Sequence, residues 1–156
     1  MKLAIGADPF AYGLKKAVAQ HLKNRGVEVM DMDSYAETPY YEVAEKAARE
    51  ISAGNADGAV LFCGTGAGMA IVANKICGVR AVCVESVFAA KKAKAINDAN
   101  AITMGAMIVG EAMACEMVDA SIQSLRRALS SCANFLNRRA GRSGKSTLPT
   151  GRIRKK

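Results

Sequence analysis

Tryptophan is missing from this chain, and histidine occurs once, as His21. One imidazole excludes a histidine-rich metal site, and its setting among polar helix formers predicts a solvated helix face. No apolar run approaches the roughly 20 residues that a bilayer span needs, and no signal peptide is visible. These two absences predict a cytoplasmic protein with no membrane role. Five cysteines (Cys63, Cys77, Cys83, Cys115, Cys132) form an odd, scattered set without metal-ligand spacing. That pattern predicts a reducing compartment and mostly buried thiols. No metal or cofactor is expected.

Nucleotide-binding loops are missing too. A dinucleotide fingerprint requires a glycine three residues after its second one, and Gly66 plus three is Met69. Gly144-Lys145-Ser146 ends like a phosphate-binding P-loop, but the glycine required five residues earlier is Arg139. Acidic residues also stop early. All 14 lie at or before Asp119, beside 12 of the 22 Lys and Arg, so residues 1–119 carry −2 and the remaining 37 carry +10. The body is near neutral and only the end is basic. That end has few aromatics and no recognised nucleic-acid motif, so generic phosphate attraction is all it supports.

What is present is a 156-residue chain, half of it apolar, long enough for one well-buried core. A domain over residues 1–140 and a flexible basic tail over 141–156 are expected. Lys2 to Ala7 reads as a strand, with Asp8-Pro9 as N-cap and first position of a helix. Leu14, Val18 and Leu22 give that helix its apolar stripe, and Gly26 closes it. A second strand is predicted over 27–32, and a helix from about Tyr41 to Gly54. A third strand spans 59–63, and a helix follows it to about Gly78. A fourth strand spans 80–84, with an alanine- and lysine-rich helix to about Ile96. A short fifth strand spans 101–104, and Gly110 opens a long helix to about Arg139. Such alternation predicts a three-layer α/β/α sandwich around a five-stranded parallel sheet. Ligands in such folds lie beyond the carboxyl ends of the strands, where Asp8, Cys63 and residues 97–100 are expected.

The chain is organised around residues 60–75, where an apolar run ends in Cys63 and breaks into Gly64, Gly66 and Gly68 before a helix. Alternate glycines permit a sharp turn and close backbone approach to a bound oxygen. The helix start behind them favours an anion and would favour a thiolate at Cys63. One loop thus offers a candidate base and a cradle for developing negative charge.

Six segments together resemble the family of ribose-5-phosphate isomerase B and the galactose-6-phosphate isomerase subunits. They are Gly6-Ala7-Asp8, Cys63-Gly-Thr-Gly-Ala-Gly-Met69, Ala73-Asn-Lys75, Gly78-Val-Arg-Ala81, Asn97-Asp-Ala-Asn100 and Met104-Gly-Ala106. The resemblance implies aldose–ketose isomerisation through an enediolate, in a homodimer or tetramer with shared active sites. It implies Cys63 as base, Asp8 on a sugar hydroxyl, and Thr65 as a third catalytic group. Gly64, Gly66, Ala67, Gly68, Tyr40, Asn97 and Asn100 are the expected substrate-binding residues. Three positions depart from the family pattern. Pro9 and Met107 stand where histidine and arginine often bind phosphate, and Ile96 where a histidine helps open the sugar ring. A substrate that needs no ring opening, such as a tetrulose phosphate, is therefore expected. Arg138, Arg139 and Arg142, reaching from a neighbouring copy, are the expected phosphate ligands. Two other readings stay open: a galactose-6-phosphate isomerase-type subunit completed by a partner chain, and a non-catalytic anion-binding module.

Overall fold

The computed structural model describes residues 1–34 and 37–140, with the helical backbone alone at residue 129 and over residues 131–140. The expected tail, 141–156, lies outside the described residues. Among the described residues five strands form: β1 (Lys2–Ala7), β2 (Glu28–Asp31), β3 (Gly58–Cys63), β4 (Ala81–Cys83) and β5 (Ala101–Gly105). They alternate with α1 (Tyr12–Asn24), α2 (Tyr40–Ser52), α3 (Ala67–Ala73), α4 (Val87–Asn97) and α5 (Glu111–Ala140). All pairings are parallel, in the order β2-β1-β3-β5-β4. Central parallel strands are covered on both faces and so need apolar residues throughout. Accordingly, β3 and β5 are buried at every position.

Strand alternation splits the core in two. Val60 and Phe62 of β3 point to the side packed by Val18, Leu22, Ala90, Ala93, Met117 and Val118 of α1, α4 and α5. Leu61 and Cys63 point the other way, toward Val43, Ala47, Met69 and Ala73 of α2 and α3. Cys63 therefore lies on the α2–α3 face at the last rung of the strand. The chain divides into two compact units, with the boundary at Arg126 inside α5. The first unit holds the sheet and α1 to α4. The described part of the second is the continuing helix, to Ala140. Among the described residues no helix is long and apolar enough to cross a membrane.

Several local expectations are corrected. Asp8 caps a single 3-10 turn, Pro9–Ala11, rather than α1 itself: the Ala11 N–H donates to Asp8 Oδ1 at 3.0 Å. Lys15, a charged residue beside the apolar stripe of α1, is only 1% exposed. Its Nζ donates to Asp31 Oδ1 at 2.7 Å, Asp31 Oδ2 at 3.0 Å and the Asp33 carbonyl, and lies 4.5 Å from the centre of the Tyr12 ring. A buried ammonium needs such partners, and these tie α1 to the end of β2. His21 is not simply solvated either. Its Nε2 lies 2.9 Å from Asp119 Oδ1, while Arg25 Nη2 donates to Asp119 Oδ2 at 2.7 Å, so one carboxylate joins α1 to α5. Of the four cysteines with described side chains, only Cys63 is buried; Cys83 and Cys115 are half-buried, and Cys77 is exposed in the turn after α3.

Gly6 of β1 sets how closely α2 approaches the sheet. A Cβ built there would stand 2.3 Å from Val43 Cγ1 and 3.3 Å from Met32 Cβ. Gly6→Ala should therefore displace α2 and cost about 1–3 kcal/mol, as overpacking of a filled core does. Urea denaturation read by circular dichroism checks this. An unchanged midpoint would mean that α2 yields freely.

Candidate active site

The central strands place their carboxyl ends side by side. Ala7 of β1 pairs with Phe62, and Cys63 of β3 pairs with Gly105 of β5. Beyond these ends lie Asp8, the 64–68 loop and residues 106–107. The chain leaving β5 captures the loop: the Ala106 N–H donates to the Cys63 carbonyl at 2.9 Å and the Met107 N–H to the Gly64 carbonyl at 3.0 Å. That contact requires Gly105, where a Cβ would fall 2.6 Å from the Thr65 carbonyl carbon and 2.8 Å from the Gly64 oxygen.

Gly66 turns the loop into α3 with φ of 83°, in the left-handed region that favours glycine. Gly64 and Gly68 are not at positive φ, so the three glycines serve different ends. At Gly66 a Cβ would come within 2.9 Å of both Cys83 Sγ and the Met104 carbonyl carbon. At Gly68 its nearest neighbours would be atoms of the Tyr40 ring, from 2.8 Å. Tyr40, the first residue of α2 and about half exposed, thus lies against the loop as expected of a substrate-binding candidate.

The Gly66 N–H donates to Cys63 Sγ at 3.1 Å. An amide aimed at sulfur stabilises negative charge on it. The N–H groups of Ala67 and Gly68 open α3 and have no acceptor within the helix. They are the loop's free donors for a developing oxyanion, whereas the Gly66 N–H is committed to sulfur. Thr65 is exposed at the loop tip. Asp8 is half-buried, with Oδ1 held by Ala11. Cys63, Thr65, Asp8, Tyr40 and the loop therefore share one edge of the sheet.

Asn97 and Asn100 do not join them. α4 runs back from the carboxyl edge, so residues 97–100 lie at the amino edge, before β5 begins. Both ends of the Asn100 side-chain amide are occupied there: Oδ1 accepts from the Arg80 N–H and Nδ2 donates to the Gly78 carbonyl, each at 2.8 Å. Arg80 completes the clasp, with Nε to the Asp98 carbonyl and Nη2 to Asp98 Oδ2, each at 2.7 Å. Two of the recognised segments, 78–81 and 97–100, are thus each other's structural partners. Ile96 is at the same edge and 70% exposed. Arg138 and Arg139 belong to the last turn of α5, where only backbone is described, and Arg142 lies outside the described residues.

With this geometry in place, the chain matches the family described as Ribose/Galactose Isomerase over residues 3–134. The chain belongs to that family. It is 47% identical to a 4-deoxy-4-sulfo-D-erythrose isomerase of Clostridium sp. (strain MSTE9), over 76% of this chain and 77% of that one. It is 38% identical to a D-erythrulose-4-phosphate isomerase of Pectobacterium atrosepticum, over 77% and 81% of the two chains. Its structure is similar to that of Clostridium thermocellum ribose-5-phosphate isomerase B, with a TM-score of 0.77 at 30% identity, over 88% of this chain and 99% of that one. The family's fold is the parallel sandwich described above, and its members are isomerases. For a ribose/galactose isomerase the joint between Cys63 and Gly66 is the feature to explain. Two residues that hold it, Cys83 and Thr103, were given no role from sequence, and Gly105 entered only within the segment 104–106. Thr103 had one usable signal: it is the only polar side chain in a strand of otherwise buried apolar residues and glycine.

The asymmetry among the glycines is testable. Gly66→Ala should abolish most turnover and cost about 1–3 kcal/mol, because it forces a left-handed residue against backbone. Gly68→Ala should cost much less, since the Tyr40 ring can swing aside. Steady-state kinetics and thermal melting of the two variants check this, and equal losses would contradict the distinction.

Proposed function

We propose that this isomerase interconverts a four-carbon aldose and ketose that carry a terminal phosphate. The observation that carries the reading is the Gly66 N–H on Cys63 Sγ, which places an amide-stabilised sulfur beside two free helix-opening amides. Cys63 removes a proton from the carbon next to the carbonyl and returns it to the neighbouring carbon, while the hydroxyl proton passes from one oxygen of the enediolate to the other. The Ala67 and Gly68 N–H groups stabilise the enediolate oxygen formed between these steps, a contribution of roughly 3–4 kcal/mol per donor in comparable oxyanion sites. Asp8 Oδ2 takes a sugar hydroxyl, and Thr65 and Tyr40 border the pocket. No cofactor enters the reaction.

Substrate length follows from chemistry. A tetrose or tetrulose esterified on its terminal oxygen cannot close a furanose ring, so no ring-opening group is required. Ile96 supplies none. The two sequence relatives named above are named for four-carbon substrates, one a phosphate and the other a sulfonate. The sulfonate is a second reading that Pro9 and Met107 favour, because both replace side chains that would answer a phosphate's charge. The protein is proposed to act in the cytoplasm as a homodimer or tetramer. A second copy would bring Asn97 toward Cys63, and Arg138, Arg139 and Arg142 toward the anionic end of the substrate. Arginine suits that role through paired, charge-assisted hydrogen bonds.

Purified protein should show a higher kcat/KM on a tetrulose 4-phosphate or its sulfonate counterpart than on ribose 5-phosphate. Cys63→Ala should lower kcat by roughly 10²–10⁴-fold, the range expected for a positioned general base, while leaving the melting temperature near wild type. Preference for ribose 5-phosphate would overturn the four-carbon reading, and near-normal turnover without Cys63 would overturn the base assignment.

Removal of residues 138–156 should raise KM for the phosphorylated substrate with kcat largely retained. An unchanged KM would mean that the anion is held by other groups.

A further inference from the structure

The loop's outer side carries the Ala67 and Gly68 amides proposed to meet substrate, while its inner side is gripped by two residues with no assigned part in the reaction. Cys83, at the end of β4, donates from Sγ to the Thr65 carbonyl at 3.5 Å. Thr103, in the middle of β5 and fully buried, donates from Oγ1 to the Gly66 carbonyl at 2.8 Å. The same Gly66 carbonyl accepts the Ala70 N–H at 3.2 Å, the first bond of α3.

These grips act on two consecutive peptide planes. A trans peptide is planar, with its C=O and N–H directed oppositely, so fixing one fixes the other. The plane between Thr65 and Gly66 has its carbonyl on Cys83 and its N–H on Cys63 Sγ. The plane between Gly66 and Ala67 has its carbonyl on Thr103, which turns the Ala67 N–H away from the sheet. We infer that Thr103 and Cys83 are positioning residues for the isomerisation: from behind the loop they aim one amide at the catalytic sulfur and the next toward substrate.

Two further observations agree. Gly66 is what allows the grip, because any Cβ there would collide with Cys83 Sγ. Burial pushes the Cys83 thiol up; a hydrogen bond with Thr103 partly offsets this and the charge of Glu85 adds to it. Cys83 therefore keeps its S–H at neutral pH and remains a donor. Cys63, by contrast, receives a hydrogen bond at sulfur. The two thiols of this face are thus held in complementary roles by one peptide.

The inference rests on the isomerase reading of Cys63, and two readouts separate the two claims. Thr103→Val keeps shape and volume, and Gly66 still has its bond from Ala70, so the fold should persist with little change in melting temperature. On the four-carbon substrate, kcat should fall roughly ten- to a hundredfold, the scale of a small misplacement in an active site, with KM within about twofold. Thr103→Ser should recover most of the loss. Cys83→Ala should give a smaller fall in kcat, because S–H is a weak donor. Independently of any substrate, iodoacetamide labelling of Cys63, followed by mass spectrometry of its peptide, should slow in Thr103→Val and in Cys83→Ala. Unchanged kcat and unchanged labelling in both variants would overturn the inference. So would a Thr103→Ser protein as impaired as Thr103→Val. Slower labelling in a protein whose wild type turns over none of the sugars would sink the substrate reading and leave the positioning role standing.

Discussion

Everything at the candidate site depends on one left-handed residue. Gly66 lets the chain leave a buried strand, reverse around the sulfur of the strand's last residue, and enter a helix within three positions. A side chain there would push against Met104 backbone in the neighbouring strand, and backbone in the centre of a sheet cannot move aside. The turn therefore depends on β5 approaching closely, which in turn requires Gly105. Gly66 in the loop and Gly105 at the end of β5 together permit a contact that neither could permit alone. Cys63, the Ala67 and Gly68 amides and the Tyr40 ring are arranged around that contact.

The architecture was legible because the constraint behind it is local and repeated. Strands covered on both faces must be apolar, so β1, β3 and β5 announce themselves, and the intervening helices follow from period and capping. Element ends were less legible. Pro9 and Asp8 do start a helical turn, but it is a 3-10 turn that gives way to α1 at Tyr12. The charged Lys15 took a fully buried position because Asp31 at the end of the next strand and the Asp33 carbonyl just past it await it, a pairing sixteen to eighteen residues away that periodicity does not reveal.

The site was legible in part. Cys63 and its glycines stand out because their spacing has no purpose in a plain strand–helix connection. The error over residues 97–100 has a geometric origin. Segments that a family shares need not lie at one place, and a helix that leaves a carboxyl edge returns the chain to the amino edge before the next strand. Applied strictly, that rule would have put Asn100 opposite Cys63 from the start. Thr103 and Cys83 are harder, since a threonine or cysteine in a strand is ordinary. Only the carbonyls they face, set by strand order, give them a role.

The free side of β4, the outermost strand in the order given above, has a consequence for how copies of this chain can meet. Among the described residues this three-residue strand pairs with β5 alone, so its other side would present unpaired backbone groups as a template for another strand. Asn74, just past α3, closes the first rung: its Oδ1 accepts the Ala81 N–H at 2.8 Å, and its Nδ2 donates to the Ala81 carbonyl at 2.7 Å. A side-chain amide here imitates a neighbouring strand, and its chemistry cannot be extended by a further chain. Sheet growth is blocked at that rung by a residue of the same molecule. At that rung, association would have to rely on side-chain surfaces, whose shape can distinguish one partner from another, rather than on backbone pairing, which any extended chain could satisfy.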